Sequence, residues 1–435
     1  NCDIIGLSGL ITPSLDEMVT VAKEMERRGM KIPLMIGGAT TSRVHTAVKI
    51  DPHYSGSVVY VLDASKSVPV ASSLISKDQQ TDFHTQVKKE YAEFREEYAA
   101  RQKEKNLIPL EEARKNKFKI DWDQTTVTKP TFLGTRAFKD IDLKELVTYF
   151  DWTPFFQSWQ LHGKYPRIFD DKVVGEEAKK LFAEAQTLLA RILDEKLLQC
   201  HAVVGFWPAN TATNTDDVLL FQYDGQEENR NTTIGTFVNL RQQGQKGTNV
   251  PNINLSDFIA PVDTGIRDYI GGFAVTVFGA EELSKEYELK NDDYTAIMSK
   301  SLADRFAEAI AEYMHAKVRK ELWGYASNET LDNLALIDEA YEGIRPAPGY
   351  PACPDHNLKR ELFKQLQAEQ AIGIQLTESL AMYPASSVSG MYYAHPKAKY
   401  FGLGKIQKDQ VQDYALRRGI TIEEAEKWLS PNLAY

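Results

Sequence analysis

The stretch Arg345-Pro346-Ala347-Pro348-Gly349-Tyr350-Pro351 holds three prolines and one arginine in seven residues. Each proline fixes φ at about −65° and disfavours the helical conformation in the residue before it. Arg345, Ala347 and Tyr350 are therefore expected in an extended run, and the N–H groups of Ala347, Gly349 and Tyr350 need partners outside a helix. Gly349 has no Cβ, so a ligand or another strand is expected to approach the backbone closely there. Arg345 carries a planar fork of donors that matches a carboxylate. A small extended ligand ending in a carboxylate fits these properties. So does a rigid loop whose arginine salt-bridges a neighbouring side chain.

Other stretches offer chemistry of the same modest specificity. Asp151-Trp152-Thr153-Pro154-Phe155-Phe156 with Trp159 is an aromatic run with one carboxylate. The aromatics read as core, and Asp151 as either a helix cap or a receiver for an amine. After Tyr294, Leu302, Phe306, Ile310 and Tyr313 form an apolar helical stripe, and Asp304, Glu308 and His315 fall together on the opposite side. Such a side is ordinarily solvated unless a second domain or a ligand covers it. Tyr392-Tyr393 and Tyr400-Phe401 bracket His395-Pro396 and fit sheet packing or the wall of a groove.

The elements that must position these residues follow from periodicity. Residues 3–7, 32–36 and 57–62 read as strands, with helices after Ser14, after Thr40 or Thr41, and from Ser65. Ser14 and Glu17 have the spacing of a capping box. Strands alternating with helices imply βαβ units and a parallel sheet, whose ligands bind beyond the carboxyl ends of the strands. Ser8-Gly9-Leu10-Ile11-Thr12 and Gly37-Gly38-Ala39-Thr40-Thr41 occupy those ends, although generic strand-to-helix turns look alike. Three strands are fewer than a finished doubly wound domain needs, and an N-terminal half is expected upstream. Residues 79–106 read as a solvated helical connector. Beyond it the rhythm changes. Strands are expected at 202–207, 218–223, 273–278, 390–394 and 400–406, and helices at 175–198, 294–323, 359–372, 408–419 and 422–429. Strands and helices in runs imply an α+β domain with a mainly antiparallel sheet.

Composition narrows the function class. The formal net charge of −10 is spread without a basic block, which argues against nucleic acid or an anionic membrane as a main partner. Cys2, Cys200 and Cys353 are far apart and odd in number, so neither a disulfide framework nor a structural zinc is expected, and a reducing, cytoplasmic setting is. No apolar run reaches membrane-spanning length. There is no P-loop, no nucleophile elbow and no glycine-rich turn of the common methyltransferase fold.

Taken together, the chain resembles the C-terminal part of cobalamin-dependent methionine synthase over essentially all of its length. The resemblance rests on IGLSGLITPSLDEM (5–18), IPLMIGGATTS (32–42), VLDASKSV (61–68), DWTPFFQSW (151–159) and GKYPRI (163–168). It continues through DYIGGFAV (268–275), RPAPGYPACPDH (345–356), LTESLAMYPASSVSGMYY (376–393), KAKYF (397–401) and KDQVQDYA (408–415).

The resemblance implies an α/β Rossmann-like (flavodoxin-like) half-domain followed by a C-shaped α+β domain. Residues 1–78 would be the C-terminal half of a cobalamin-binding domain, with Ser8, Leu10, Thr12, Gly37, Gly38 and Ala64 as cobalamin contacts. The family's Asp-x-His-x-x-Gly motif is absent from these residues, so weakened cobalamin binding is expected, and the family's zinc is expected only in a further N-terminal domain. Residues 107–435 would be a reactivation domain that binds S-adenosylmethionine through Asp151, Glu308, Arg345, Ala347, Gly349, Tyr350, Tyr400 and Phe401, with Asp304 on a side that meets the cobalamin domain. The implied chemistry is reductive methylation of cob(II)alamin to methylcobalamin, with an electron from flavodoxin or a diflavin reductase, and no catalytic side chain is expected. In the family, methyl passes from 5-methyltetrahydrofolate to homocysteine; this chain alone is not expected to make methionine. The competing readings are a ligand-binding or chaperone module for cobalamin without methyl transfer, and an ordinary small-molecule methyltransferase.

Overall fold

Three short strands, Ile5–Ser8 (β1), Leu34–Gly37 (β2) and Val58–Tyr60 (β3), pair in parallel in the order β1-β2-β3. The structure is a computed structural model and describes every residue except 1, 10, 12, 104, 105 and 140. It divides into two compact units, residues 1–116 with 242–252 and 403–435, and residues 117–241 with 253–402.

In the first unit the helix Pro13–Arg27 returns the chain from β1 to β2. Met18, Ala22 and Met25 pack from it onto Leu34, Ile36 and Val58. The capping box expected at Ser14 and Glu17 is not formed, because the helix already begins at Pro13 and the Ser14 hydroxyl turns back to the Ile11 carbonyl. Ser42, rather than Thr40 or Thr41, caps the next helical turn by accepting from the His45 N–H at 3.1 Å. The opposite face of the sheet is covered by the helix Gln80–Lys103. Its Val87 and Tyr91 are buried beside Ala47, Val59 and Leu74. The buried Asp51 accepts from Lys88 at 2.7 Å and Arg95 at 2.8 Å. The segment read as a solvated helix therefore hides one narrow stripe, which its dense charge concealed.

The second unit is built on an antiparallel sheet. Its strands are Gly134–Phe138 (β4), Gln199–Thr211 (β5), Asp217–Tyr223 (β6), Glu228–Val238 (β7) and Asp268–Phe278 (β8). Gln375–Leu376 (β9) and Met382–Tyr383 (β10) form a separate small hairpin, and Ser387–Tyr392 (β11) completes the large sheet. The order is β11-β8-β5-β6-β7, with β4 also on β5. Alternation along β5 sends Cys200, Ala202, Val204 and Phe206 to one face and Val203, Trp207 and Ala209 to the other. The first face is covered by the helices Gly175–Glu195 and Asp293–Lys317, the second by Leu358–Leu366 and Ala368–Ile372. The expected helix over 294–323 changes to a π-helical turn at Val318–Leu322. The strand expected at 400–406 is irregular, because Gly402 and Gly404, the latter at φ +76°, interrupt it. Among the described residues no helix is long and apolar enough to cross a membrane.

Candidate functional site

The proline loop lies against the end of β11. Ile344 and Tyr393 exchange backbone hydrogen bonds of 3.0 Å, and the Met391 N–H donates to the Pro346 carbonyl at 2.9 Å. Residues 345–347 are thus extended, as the prolines require, and the chain then turns at Pro348-Gly349. The Gly349 N–H donates to the Cys353 carbonyl at 2.7 Å, and the Tyr350 N–H to the Ala347 carbonyl at 3.2 Å. The close approach expected at Gly349 is made by a side chain of the protein: a Cβ there would stand 2.2 Å from the His356 ring.

Beside this loop lies a cavity of about 500 Å³, within the range of small-molecule sites. The loop contributes Arg345, Ala347 and Tyr350, Tyr400 and Phe401 form another wall, and Glu308 adds a carboxylate from the helix Asp293–Lys317. Phe273 of β8 and Val388 of β11 supply apolar surface. The Arg345 N–H donates to the Tyr400 hydroxyl at 3.0 Å, and that hydroxyl lies 3.3 Å from the Tyr341 hydroxyl. Tyr400 is therefore tied to the loop it faces.

The Arg345 guanidinium is held from behind. Its Nη2 donates to Glu312 Oε2 at 2.7 Å. Burial is the strongest single influence and works against its charge, but Glu312, Tyr341, Tyr400 and Glu308 together outweigh it and raise the guanidinium pKa. Burial also pushes the Glu312 carboxyl above its ordinary range, opposed by Arg345 and Arg319. Arg319 is wholly buried and is gripped through Nε and Nη2 by Glu329, both at 2.7 Å. His315 is buried, not solvated, against Tyr341 and Tyr392. Burial first, and then the two guanidiniums, keep its ring neutral.

Six of the eight residues expected to contact S-adenosylmethionine line this one cavity. The other two do not: Gly349 lies in the turn behind, and Asp151 accepts from the Thr153 N–H at 2.9 Å near the start of the helix Thr153–Ser158. Asp304, expected on a docking side, is exposed and accepts from the Ser386 hydroxyl at 2.6 Å. Sequence reasoning missed Glu312. The available signal was carboxylates at 304, 308 and 312, a four-residue repeat along one helix side.

In the other unit Ser8, Gly37 and Gly38 meet at the carboxyl ends of β1 and β2. The Gly9 N–H donates to the Gly37 carbonyl at 2.9 Å, and Gly38, at φ +105°, leaves no room for a Cβ, which would stand 2.4 Å from Gly9. Leu62 and Val68 expose apolar surface near the end of β3. Leu10 and Thr12 lie outside the described residues, and Ala64 opens the helix Ala64–Ile75.

Residues 142–419 match the family model described as "Vitamin B12 dependent methionine synthase, activation domain". Among solved structures the chain is similar to "Crystal Structure of the MetH Reactivation Domain bound to AdoHcy", with 47% identity and a TM-score of 0.72, covering 76% of this chain and 99% of that one.

Proposed function

Because the chain belongs to the activation-domain family of vitamin B12-dependent methionine synthases, we propose that its cavity binds S-adenosylmethionine and presents the methyl group for reactivation of cobalamin. The observation that carries this reading is the convergence on one cavity of a guanidinium, four aromatic side chains and two carboxylates, Glu308 and Glu339. Arg345 takes the ligand's carboxylate. Tyr350, Tyr400 and Phe401 flank the adenosine, the backbone around Ala347 bonds its polar edge, Glu308 faces the cationic side, and Gly349 joins on the resemblance alone, from the turn behind the cavity. Asp151 joins as a partner for the α-ammonium on the resemblance alone.

The sulfonium makes the methyl group electrophilic without proton transfer, so the chain's task is binding and orientation, with no general base required. Cobalamin, when bound, supplies the nucleophile. Its contacts are assigned to Ser8, Leu10, Thr12, Gly37, Gly38 and Ala64 in a half-domain spanning residues 1–78, of Rossmann-like type, joined through 79–106 to a reactivation domain at 107–435. The parallel sheet and the small residues at its strand ends fit that slot. A flavodoxin or a diflavin reductase supplies the electron, the remaining domains of the same enzyme are partners, Asp304 contributes to docking, and the setting is cytoplasmic.

Calorimetric titration of S-adenosylmethionine into the chain and into Arg345→Ala tests the site. Saturable binding in the first and a loss of about 2–5 kcal/mol in the second are expected, because the variant leaves a buried ligand charge unpaired. Equal binding by both would place the ligand elsewhere.

A further inference from the structure

We propose that Glu312 is a positioning residue for the ligand's carboxylate, acting through Arg345 without touching the ligand itself. The inference rests on the reading that the cavity binds S-adenosylmethionine. Glu312 lies one helical turn beyond Glu308 but does not line the cavity. Its side chain is 10% exposed, against 20% for that of Arg345. Oε2 holds Arg345 Nη2 at 2.7 Å, while among the described residues Oε1 has no hydrogen-bond partner and stands 3.9 Å from Arg319 Nη1.

Arg319 does not explain this buried carboxylate. Its Nε and Nη2 are bonded to Glu329 at 2.7 Å and the Tyr341 ring packs 4.4 Å from its guanidinium carbon, so that only Nη1 faces Glu312, in an ion pair 3.9 Å long and beyond hydrogen-bond reach. Among the described residues the Glu312 carboxylate accepts one hydrogen bond, from Arg345. That bond fixes one edge of the guanidinium, and the Tyr400 hydroxyl fixes the same residue's backbone at 3.0 Å. Among the described residues Nε and Nη1 have no protein acceptor, on a side chain that lines the cavity. An arginine on a flexible stem must be ordered when it captures a carboxylate; here one anchored edge does that ordering beforehand. The carboxylate also offsets the guanidinium's charge, so that a ligand carrying a sulfonium and an ammonium does not meet an unbalanced cation.

The test compares three probes: S-adenosylmethionine, S-adenosylhomocysteine, and 5′-methylthioadenosine, which lacks the amino-acid carboxylate. Glu312→Gln keeps the side-chain shape and removes the charge. It is expected to weaken the first two by about 10-fold and to leave the third unchanged, and Glu312→Gln with Arg345→Ala is expected to lose no more than Arg345→Ala alone. A purely structural role would weaken all three probes alike. Unchanged or tighter binding of the carboxylate ligands, an equal loss for methylthioadenosine, or additive losses in the double variant would each overturn the inference. If Glu312→Gln does not fold, Glu312→Asp decides. It keeps a charge beside Arg319 but withdraws it from Arg345, and the same selective loss is expected. Failure of both variants to fold makes Glu312 a structural residue and also overturns the proposal. Failure of the unsubstituted chain to bind any probe defeats the reading of the cavity instead.

Discussion

Gly349 is where the proline loop is most tightly specified. Its φ of +98° is costly for any residue with a Cβ, and that Cβ would overlap His356 at 2.2 Å. Gly349→Ala is expected to destabilise the protein by roughly 2 kcal/mol or more, read as a lower urea midpoint; an unchanged midpoint would show that the ring moves aside freely. His356 itself carries a pH dependence. Burial first, and Lys359 second, depress its pKa to about 4. An unfolded histidine titrates at about 6.5, so between these values the unfolded chain holds the proton and the folded chain does not. The contribution is present above that range and is lost as pH falls through it, by on the order of 2 kcal/mol at pH 5. Urea titrations at pH 7 and pH 5 should show that loss in the native protein and a smaller one in His356→Gln. The extended run and the arginine were legible from proline spacing. The histidine behind Gly349 was not, because nothing in local spacing says which side chain fills the space a glycine leaves open. Arg345 unites two readings that looked like rivals: it salt-bridges Glu312, and it still presents free donors to a cavity.

Among the elements, β5 and β8 show why strand propensity is a poor guide to single positions. Gly205 and Gly272 are cross-strand partners, and the Trp207 ring lies over both, 2.6 Å and 3.0 Å from where their Cβ atoms would be. Trp207 is buried, with Leu366 beside the Gly205 position and Leu362 beside the Gly272 position, so the ring is confined. Gly205→Val, which propensity alone would favour in a strand, is expected to cost about 1–3 kcal/mol through overpacking. A stabilised variant in a thermal melt would refute that account. The apolar central strands were legible from their sequence. β7 was not: ENRNTTIGTFV is largely polar, since most of it lies at the sheet edge with only Phe237 and Val238 buried. Conversely, Tyr400 to Ile406 had the apolar content of a strand, but Tyr400 and Phe401 are used as a cavity wall and two glycines break the run. Apolar content records burial; it does not record what the residue is buried against.

At the scale of the whole molecule, the family match falls mainly on the unit with the antiparallel sheet. The matched segment, 142–419, holds the cavity and five of the six strands of the sheet that carries it, all but β4. The three-stranded parallel sheet lies outside that segment, and its part in cobalamin binding rests on the resemblance and on the small residues at its strand ends. The two parts make a joint prediction. With methyl-labelled S-adenosylmethionine, a one-electron chemical reductant and a cob(II)alamin-loaded cobalamin domain added in trans, label should enter the cobalamin fraction, with one S-adenosylhomocysteine formed per methyl transferred. Because Arg345 is assigned to the ligand's carboxylate, whose charge does not change as the methyl group leaves, its contribution is binding that is equal in the ground and transition states. Arg345→Ala should therefore raise the half-saturating S-adenosylmethionine concentration while leaving the rate at saturation within a few-fold of the native value. A lowered rate at saturation would give Arg345 a part in aligning the methyl group. Tight binding with no transfer of label would leave a ligand-binding module for cobalamin, because a cavity that holds the donor without presenting its methyl group does only the first half of the work proposed for it.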